Sequence, residues 1–219
     1  MPTLKNIIDL SNTIYSGSPG YPGLPEVQIN RLFSAGKDGF TLTELKLHTH
    51  VGTHMDAPLH FEENGKSLDK IPLRDLVGEA ALVNLTHKKE KEGITVRDLE
   101  QYGKHIKQGD MVVLNTGWYT KRAPNDTWQK NYPYVTGEAA SWLVAKKVRG
   151  VGVDTVAVDM FGSPDFIAHH TLFGSDIFVV EELTNLDRIR KDRFFISIMP
   201  LNIPGVDASP VRAVALEFG

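Results

Sequence analysis

Eight short runs rich in Val, Ile, Leu and Phe punctuate this sequence: "NIIDLS", "FTLTELKLHTH", "AALVNLT", "MVVLNTG", "VGVDTVAVD", "DIFVVEEL", "FFISIMPL" and "VRAVALEF". Polar or glycine-containing separators bound them, which is the pattern of strands. Three segments carry helix signals instead. "TVRDLEQYGKHI" opens on Thr95 with Asp98 three residues on, a capping-box spacing that satisfies the free amides of a helix start. "TGEAASWLVAKKVRG" has Thr136 as N-cap, Glu138 in its first turn and Gly150 as terminator, and "PDFIAHHTLFG" runs from Pro164 to Gly174. Strands dominate and helices intervene, so residues 1–219 are expected to form a single α/β domain with a mixed sheet, a few helices and long loops. "YSGSPGYPGLPE" is one such loop, too short for a domain linker.

A chain of 219 residues can bury a substantial core, and a formal net charge of -3 gives no footprint for nucleic acid. The basic runs "THKKEKEG" and "DRIRKDR" are laced with acids and read as solvated turns or helix faces. There is no cysteine, which removes disulfides, thiolate ligands and thiol nucleophiles together. The amino-terminal residues show no basic region ahead of an apolar run, and no stretch reaches membrane-span length, so a cytoplasmic location is expected.

Chemistry must then come from nitrogen and oxygen, and "HTHVGTHMDAPLH" concentrates four of the eight histidines in residues 48 to 60. His48, His50, His54, Asp56 and His60 share even parity, while Met55, Ala57 and Leu59 are apolar; Gly52 and Pro58 forbid one straight central strand. A helical turn would instead place His50 and His54 on one face, ending before Pro58. In either geometry His50, His54 and Asp56 can converge, and two imidazoles with a carboxylate suit Zn²⁺ or Mn²⁺ with positions left for water. His60, just beyond Pro58, is the natural proton carrier, since imidazole titrates near working pH. A solvated strand face is the plainer alternative, and three spaced ligand types on one parity weigh against it.

"HVGTHMDAPLHF" matches the H-x-G-T-H-x-D-x-P-x-H signature, and the chain is identified on it as resembling the metal-dependent cyclase-like hydrolases, which include bacterial kynurenine formamidase and isatin hydrolase. Further similarity lies in "YPG", "GVDTVAVD", "HHTLFGSDIFVVEELTNLD" and "ASPVRAVALEF". The resemblance implies a swivelling β/β/α fold, and two divalent metal ions, zinc or alternatively manganese. His50, His54 and Asp56 would hold the first, with Asp56 bridging to a second held also by His169 and Glu181. A ligand spacing of twelve fits His170 with Glu182 equally well; the family order of Glu, usually Asn, then Leu before "TNLD" assigns Glu181, leaving Glu182 in place of an amide. His60 takes the catalytic proton-transfer role.

The implied activity is hydrolysis of a small-molecule amide by metal-activated water, with an arylformamidase converting N-formylkynurenine to kynurenine and formate as the leading reading. Tyr21, where the formamidases carry Trp, is a candidate to stack on the substrate ring, or an ordinary loop aromatic packed beside prolines. A ring-opening hydrolase of isatin-type cyclic amides is the alternative within the same chemistry. A metal-stabilised binding protein without turnover is the alternative outside it, and an uncoordinated His60 beside the metals argues against that. A homodimer or larger homo-oligomer is expected, with neither nucleic acid nor membrane as partner.

Overall fold

The computed structural model of the protein describes residues 3–219. In chain order its elements are β1 (Leu4–Asp9), β2 (Gln28–Phe33), α1 (Ala35–Asp38), β3 (Leu42–Lys46), β4 (His54–Asp56), β5 (Val77–Asn84), β6 (Gly93–Ile94), α2 (Val96–Tyr102) and β7 (Met111–Asn115). There follow α3 (Asp126–Lys130), β8 (Tyr134–Val135), α4 (Gly137–Ala145), β9 (Gly150–Val153), α5 (Ile167–Phe173), β10 (Phe178–Glu181), β11 (Arg193–Pro200) and β12 (Ala208–Phe218). Eight strands form one sheet in the order β1-β12-β11-β5-β7-β9-β10-β4. Its centre, β5-β7-β9-β10, is parallel, and its flanks pair antiparallel. The start of β12 also pairs with β4, with Ala208 opposite Asp56, so the strand order returns to β12 and the sheet closes on itself.

Alternation along the strands builds two cores. Ala80, Leu82, Met111, Val113, Phe178 and Val180 turn to one side, where Met55, Ile196, Ile198 and Ala213 join them. Ala81, Val83, Val112, Leu114 and Val179 turn to the other, against Leu99 of α2, Ala139 and Leu143 of α4, and Ala168 and Leu172 of α5. Both faces of these strands are covered, which is why their runs read as almost unbroken apolar sequence. Burying each such Val, Leu, Ile or Phe contributes roughly 1.5–3 kcal/mol.

The caps stand where the sequence placed them. Thr95 N donates to Asp98 Oδ2 at 2.7 Å, and Thr136 Oγ1 accepts from Ala139 N at 3.3 Å. Several runs end earlier than expected, among them "TVRDLEQYGKHI", whose helix stops at Tyr102. The run from 40 to 50 is strand only over β3, whose residues are all exposed and which pairs with β2, an element the apolar pattern did not mark. "VGVDTVAVD" leaves the sheet after Val153, because the buried Asp154 carboxylate turns to accept from Thr116 N and Oγ1 at 3.0 and 2.7 Å. Helix α4 stops at Ala145, and Gly150 opens β9 instead of ending the helix. Within "THKKEKEG", Lys88 is buried rather than solvated and meets Asp98 at 2.7 Å.

Candidate metal centre

Pairing of β4 with β10 sets Glu181 opposite His54 and Val180 opposite Met55. Successive side chains point to opposite faces, so His54, Asp56 and Glu181 share one face while Met55 and Val180 enter the core. His50 reaches the same place from a turn, not a strand. Gly52 makes that turn at φ 58°, where a Cβ would stand 3.1 Å from Ile14 Cγ1, and its carbonyl lies 2.8 Å from His54 Nδ1. Helix α5 delivers His169. The Asp159 carboxylate accepts from the free amides of Ala168 and His169 at 2.8 and 3.0 Å, and lies 2.6 Å from His169 Nδ1.

These outer partners decide which ring nitrogen is free. A carbonyl can only accept, so His54 donates through Nδ1 and turns Nε2 inward as the nitrogen that could ligate a metal. Asp159 does the same for His169, and Asp207 Oδ2, 2.7 Å from His50 Nε2, leaves His50 Nδ1 facing Asp56 Oδ1 at 2.9 Å. His54 Nε2 stands 3.4 Å from both Asp56 Oδ1 and Glu181 Oε2. His169 Nε2 stands 3.3 Å from Glu181 Oε1 and 3.9 Å from Asp56 Oδ2. Two ligand triads therefore share Asp56: His50, His54 and Asp56, and Asp56, His169 and Glu181, with the donor atoms of each within 4.8 Å of one another.

The donor set fits divalent cations. His54 Nε2, His169 Nε2 and both Asp56 oxygens are buried without a hydrogen-bond partner, an unfavourable state that a cation would relieve. Burial alone would keep His50 neutral, yet Asp56 and Asp207 outweigh it and raise His50 to about 10. Burial likewise opposes Asp159 and Glu181 at His169, which they raise to about 9. Against its own burial, Asp56 is held below the usual carboxylate range by His54 and His50. Buried carboxylates that hold protons on imidazoles this firmly would hold a divalent cation in their place.

The remaining sequence candidates separate. His60 ends a 3-10 turn (Pro58–His60), stacks on His50 with ring centroids 4.1 Å apart, and sets Nδ1 3.5 Å from Asp207 Oδ2. His170 is exposed and meets Glu62 at 2.8 Å, while Glu182 meets Arg122 at 3.3 Å. Of the two pairs twelve residues apart, His169 with Glu181 faces the centre. His48 lies beside a separate cavity behind the Tyr21 loop, where burial lowers its pKa. A cavity of about 200 Å³ opens over the centre, walled by Tyr21, Leu24, Phe61, Val156, Ala157 and Phe166. The Tyr21 ring packs 5.4 Å from Phe161, so it serves both as a loop contact and as cavity wall.

Sequence reading missed Asp159 and Asp207. Asp159 ends "GVDTVAVD", read as strand, and Asp207 directly precedes "ASPVRAVALEF"; an acid at a strand end was the available signal. Replacing Asp159 with Asn should weaken metal binding by roughly 10–100-fold, the usual effect of losing an outer partner of a ligand histidine. Competition against a chelator measures this, and unchanged affinity would remove His169 from the ligand set.

The Cyclase family model, described as "Putative cyclase", matches residues 8–160. The kynurenine formamidase of Geobacillus thermodenitrificans (strain NG80-2) is 30% identical over 213 residues, covering 97% of this chain and 98% of its own. A solved structure described as a potential metal-dependent hydrolase with cyclase activity superposes with a TM-score of 0.81 at 32% identity, covering 96% of this chain and 97% of its own. An isatin hydrolase bound to the product analogue thioisatinate superposes with a TM-score of 0.89 at 23% identity, covering 97% and 92%, a likeness of fold.

Proposed function

As the chain belongs to the cyclase family, we propose that it is a metal-dependent hydrolase of carbon–nitrogen bonds other than peptide bonds, and specifically an arylformamidase that cleaves N-formylkynurenine to kynurenine and formate. The observation that carries this reading is the pair of triads sharing Asp56 beneath an apolar cavity wide enough for an aryl ring. Two divalent ions, zinc or alternatively manganese, held by His50, His54 and Asp56 and by Asp56, His169 and Glu181, supply Lewis acidity at the carbonyl and acidify water.

The chain's own groups do the rest. Asp207 faces His60 Nδ1, which leaves His60 Nε2 to carry a proton to the departing nitrogen. The His50 ring, 4.1 Å away, fixes the plane of His60. Phe61 stacks on His169 at 4.5 Å, and with Phe166 it keeps bulk water from the reacting amide. Tyr21 offers its face to the leaving aniline ring from the opposite wall.

The test is release of formate and kynurenine from N-formylkynurenine by protein loaded in parallel with Zn²⁺ and with Mn²⁺. Absence of turnover with both metals refutes the formamidase reading, and ring opening of isatin in the same screen would replace it with the cyclic-amide reading. Turnover of neither leaves a binding protein.

The proposal includes a homodimer or larger homo-oligomer. Strands β2 and β3 and their connection expose Leu32, Phe33, Phe40, Leu42 and Leu45, an apolar surface of the kind that marks an interface. Sedimentation equilibrium should report a multiple of 24.3 kDa. Leu45→Glu, at a side chain making no core contact, should shift the protein towards monomer; a monomeric wild type refutes the assignment. Among the described residues no helix is long and apolar enough to cross a membrane.

A further inference from the structure

We propose that Glu182 determines specificity in this cavity, selecting amides that carry a protonated amine in addition to the scissile amide, and that Arg122 holds its carboxylate in place. The inference rests on the amide-hydrolase reading above. Its starting observation is one of backbone geometry. Glu181 and Glu182 are consecutive, yet both line the cavity. A strand cannot do this, because neighbouring side chains point to opposite faces. Glu182 escapes the alternation through a left-handed backbone, φ 55°, which few non-glycine residues adopt.

The surroundings secure that conformation on every side. Glu182 N donates to Thr155 O at 3.0 Å, and its carbonyl accepts from Asn12 Nδ2 at 2.7 Å and Thr53 Oγ1 at 2.6 Å. A strained residue fixed by three long-range hydrogen bonds and aimed into a cavity points to a task there. The carboxylate makes one ion pair among the described residues, with Arg122. Arg122 Nε donates to Oε2 at 3.3 Å, while Nη2 of the same guanidinium reaches Pro19 O at 3.3 Å and its carbon sits 5.5 Å over the Trp128 ring. Arg122 is thereby anchored away from the other oxygen. Oε1 faces Gly20, 4.0 Å from where a Cβ would stand, and accepts no hydrogen bond among the described residues.

A residue only 1% exposed thus keeps an unused acceptor at the wall of a cavity whose lining apart from the metal-centre side chains, His60 and Glu182 is Tyr21, Leu24, Phe61, Val156, Ala157 and Phe166. A ligand ammonium is the group that best completes it, through a charge-assisted hydrogen bond. Because Arg122 already offsets the first charge, neutral aryl groups meet no net repulsion there. A ligand carboxylate at the same point would face Oε1 directly.

The experiment compares 3-(aminomethyl)formanilide, cationic at neutral pH, with its near-isostere 3-ethylformanilide on metal-loaded protein. Wild type should favour the amine by about tenfold or more in kcat/KM, with the difference carried by KM. In Glu182→Gln that ratio should fall towards one, and in Glu182→Asp, whose carboxylate is retained on a shorter stem, it should lie between. A calorimetric arm measures binding of the products 3-(aminomethyl)aniline and 3-ethylaniline, and the same preference and the same loss are expected. If neither formanilide is hydrolysed the formamidase reading fails, and the calorimetric arm still decides the role of Glu182. A wild-type ratio near one in both arms, or a preference unchanged in both variants, overturns the proposal.

Discussion

Asp56→Ala is expected to empty the centre of both metals and to reduce hydrolysis to background. The carboxylate belongs to both triads, and its two oxygens are among the buried polar atoms without a hydrogen-bond partner among the described residues. Either triad without it keeps only two donors, and His54 and His50 lose the anion that draws positive charge to them. Elemental analysis checks the result, and full occupancy in the variant would exclude a shared Asp56. The melting temperature of metal-loaded protein should fall too, since a ligand at a hundred times its Kd contributes about 2.7 kcal/mol to the folded state. The same argument sets a pH direction for loading. Metal-free His50 at about 10 and His169 at about 9 are protonated at neutral pH, so metal uptake releases protons and weakens as pH falls.

His60→Ala should do the opposite: keep both metals and the fold while losing rate. His60 belongs to neither triad sharing Asp56, and it meets the centre through its ring, tilted over His50 and edge-on to His169, and through its approach to Asp207. A positioned acid–base group accounts for about 10²–10⁴-fold in rate, so kcat should fall within that range. The fall should shrink for formanilides bearing electron-withdrawing ring substituents, whose departing nitrogen needs less proton donation. Metal analysis of the variant separates the outcomes. Loss of one equivalent would make His60 a ligand, for which the cluster of His50, His60 and Asp207 supplies the geometry. Retention of full activity would require a different acid.

Much of the fold was legible because it is written in local periodicity. The parallel strands covered on both faces announce themselves as unbroken apolar runs, and the Thr95 and Thr136 caps follow from spacing alone. Strand β2 was not legible: "QINRLF" does not alternate apolar with polar residues, and its extended form comes from pairing with β3. At the site, the shared parity of His54 and Asp56 anticipated their common face. The direction of Glu182 was hidden, because a single positive φ reverses what alternation would predict. Asp159 and Asp207 escaped for a related reason. Each acts on a histidine far away in the chain, 10 positions for Asp159 with His169 and 157 for Asp207 with His50, and no local pattern encodes such a meeting.

Closure of the sheet through β12 also bears on how the site comes into being. Strand β4 is three residues long and lies between β10 and β12, both of which the ribosome makes long after it. Asp207, which orients His50 and approaches His60, emerges later still than β10. During synthesis the cluster from His48 to His60 is therefore a set of unconnected donors on an unpaired segment. Metal capture waits for nearly the whole chain, so an interrupted translation product lacks the assembled centre and its hydrolytic chemistry.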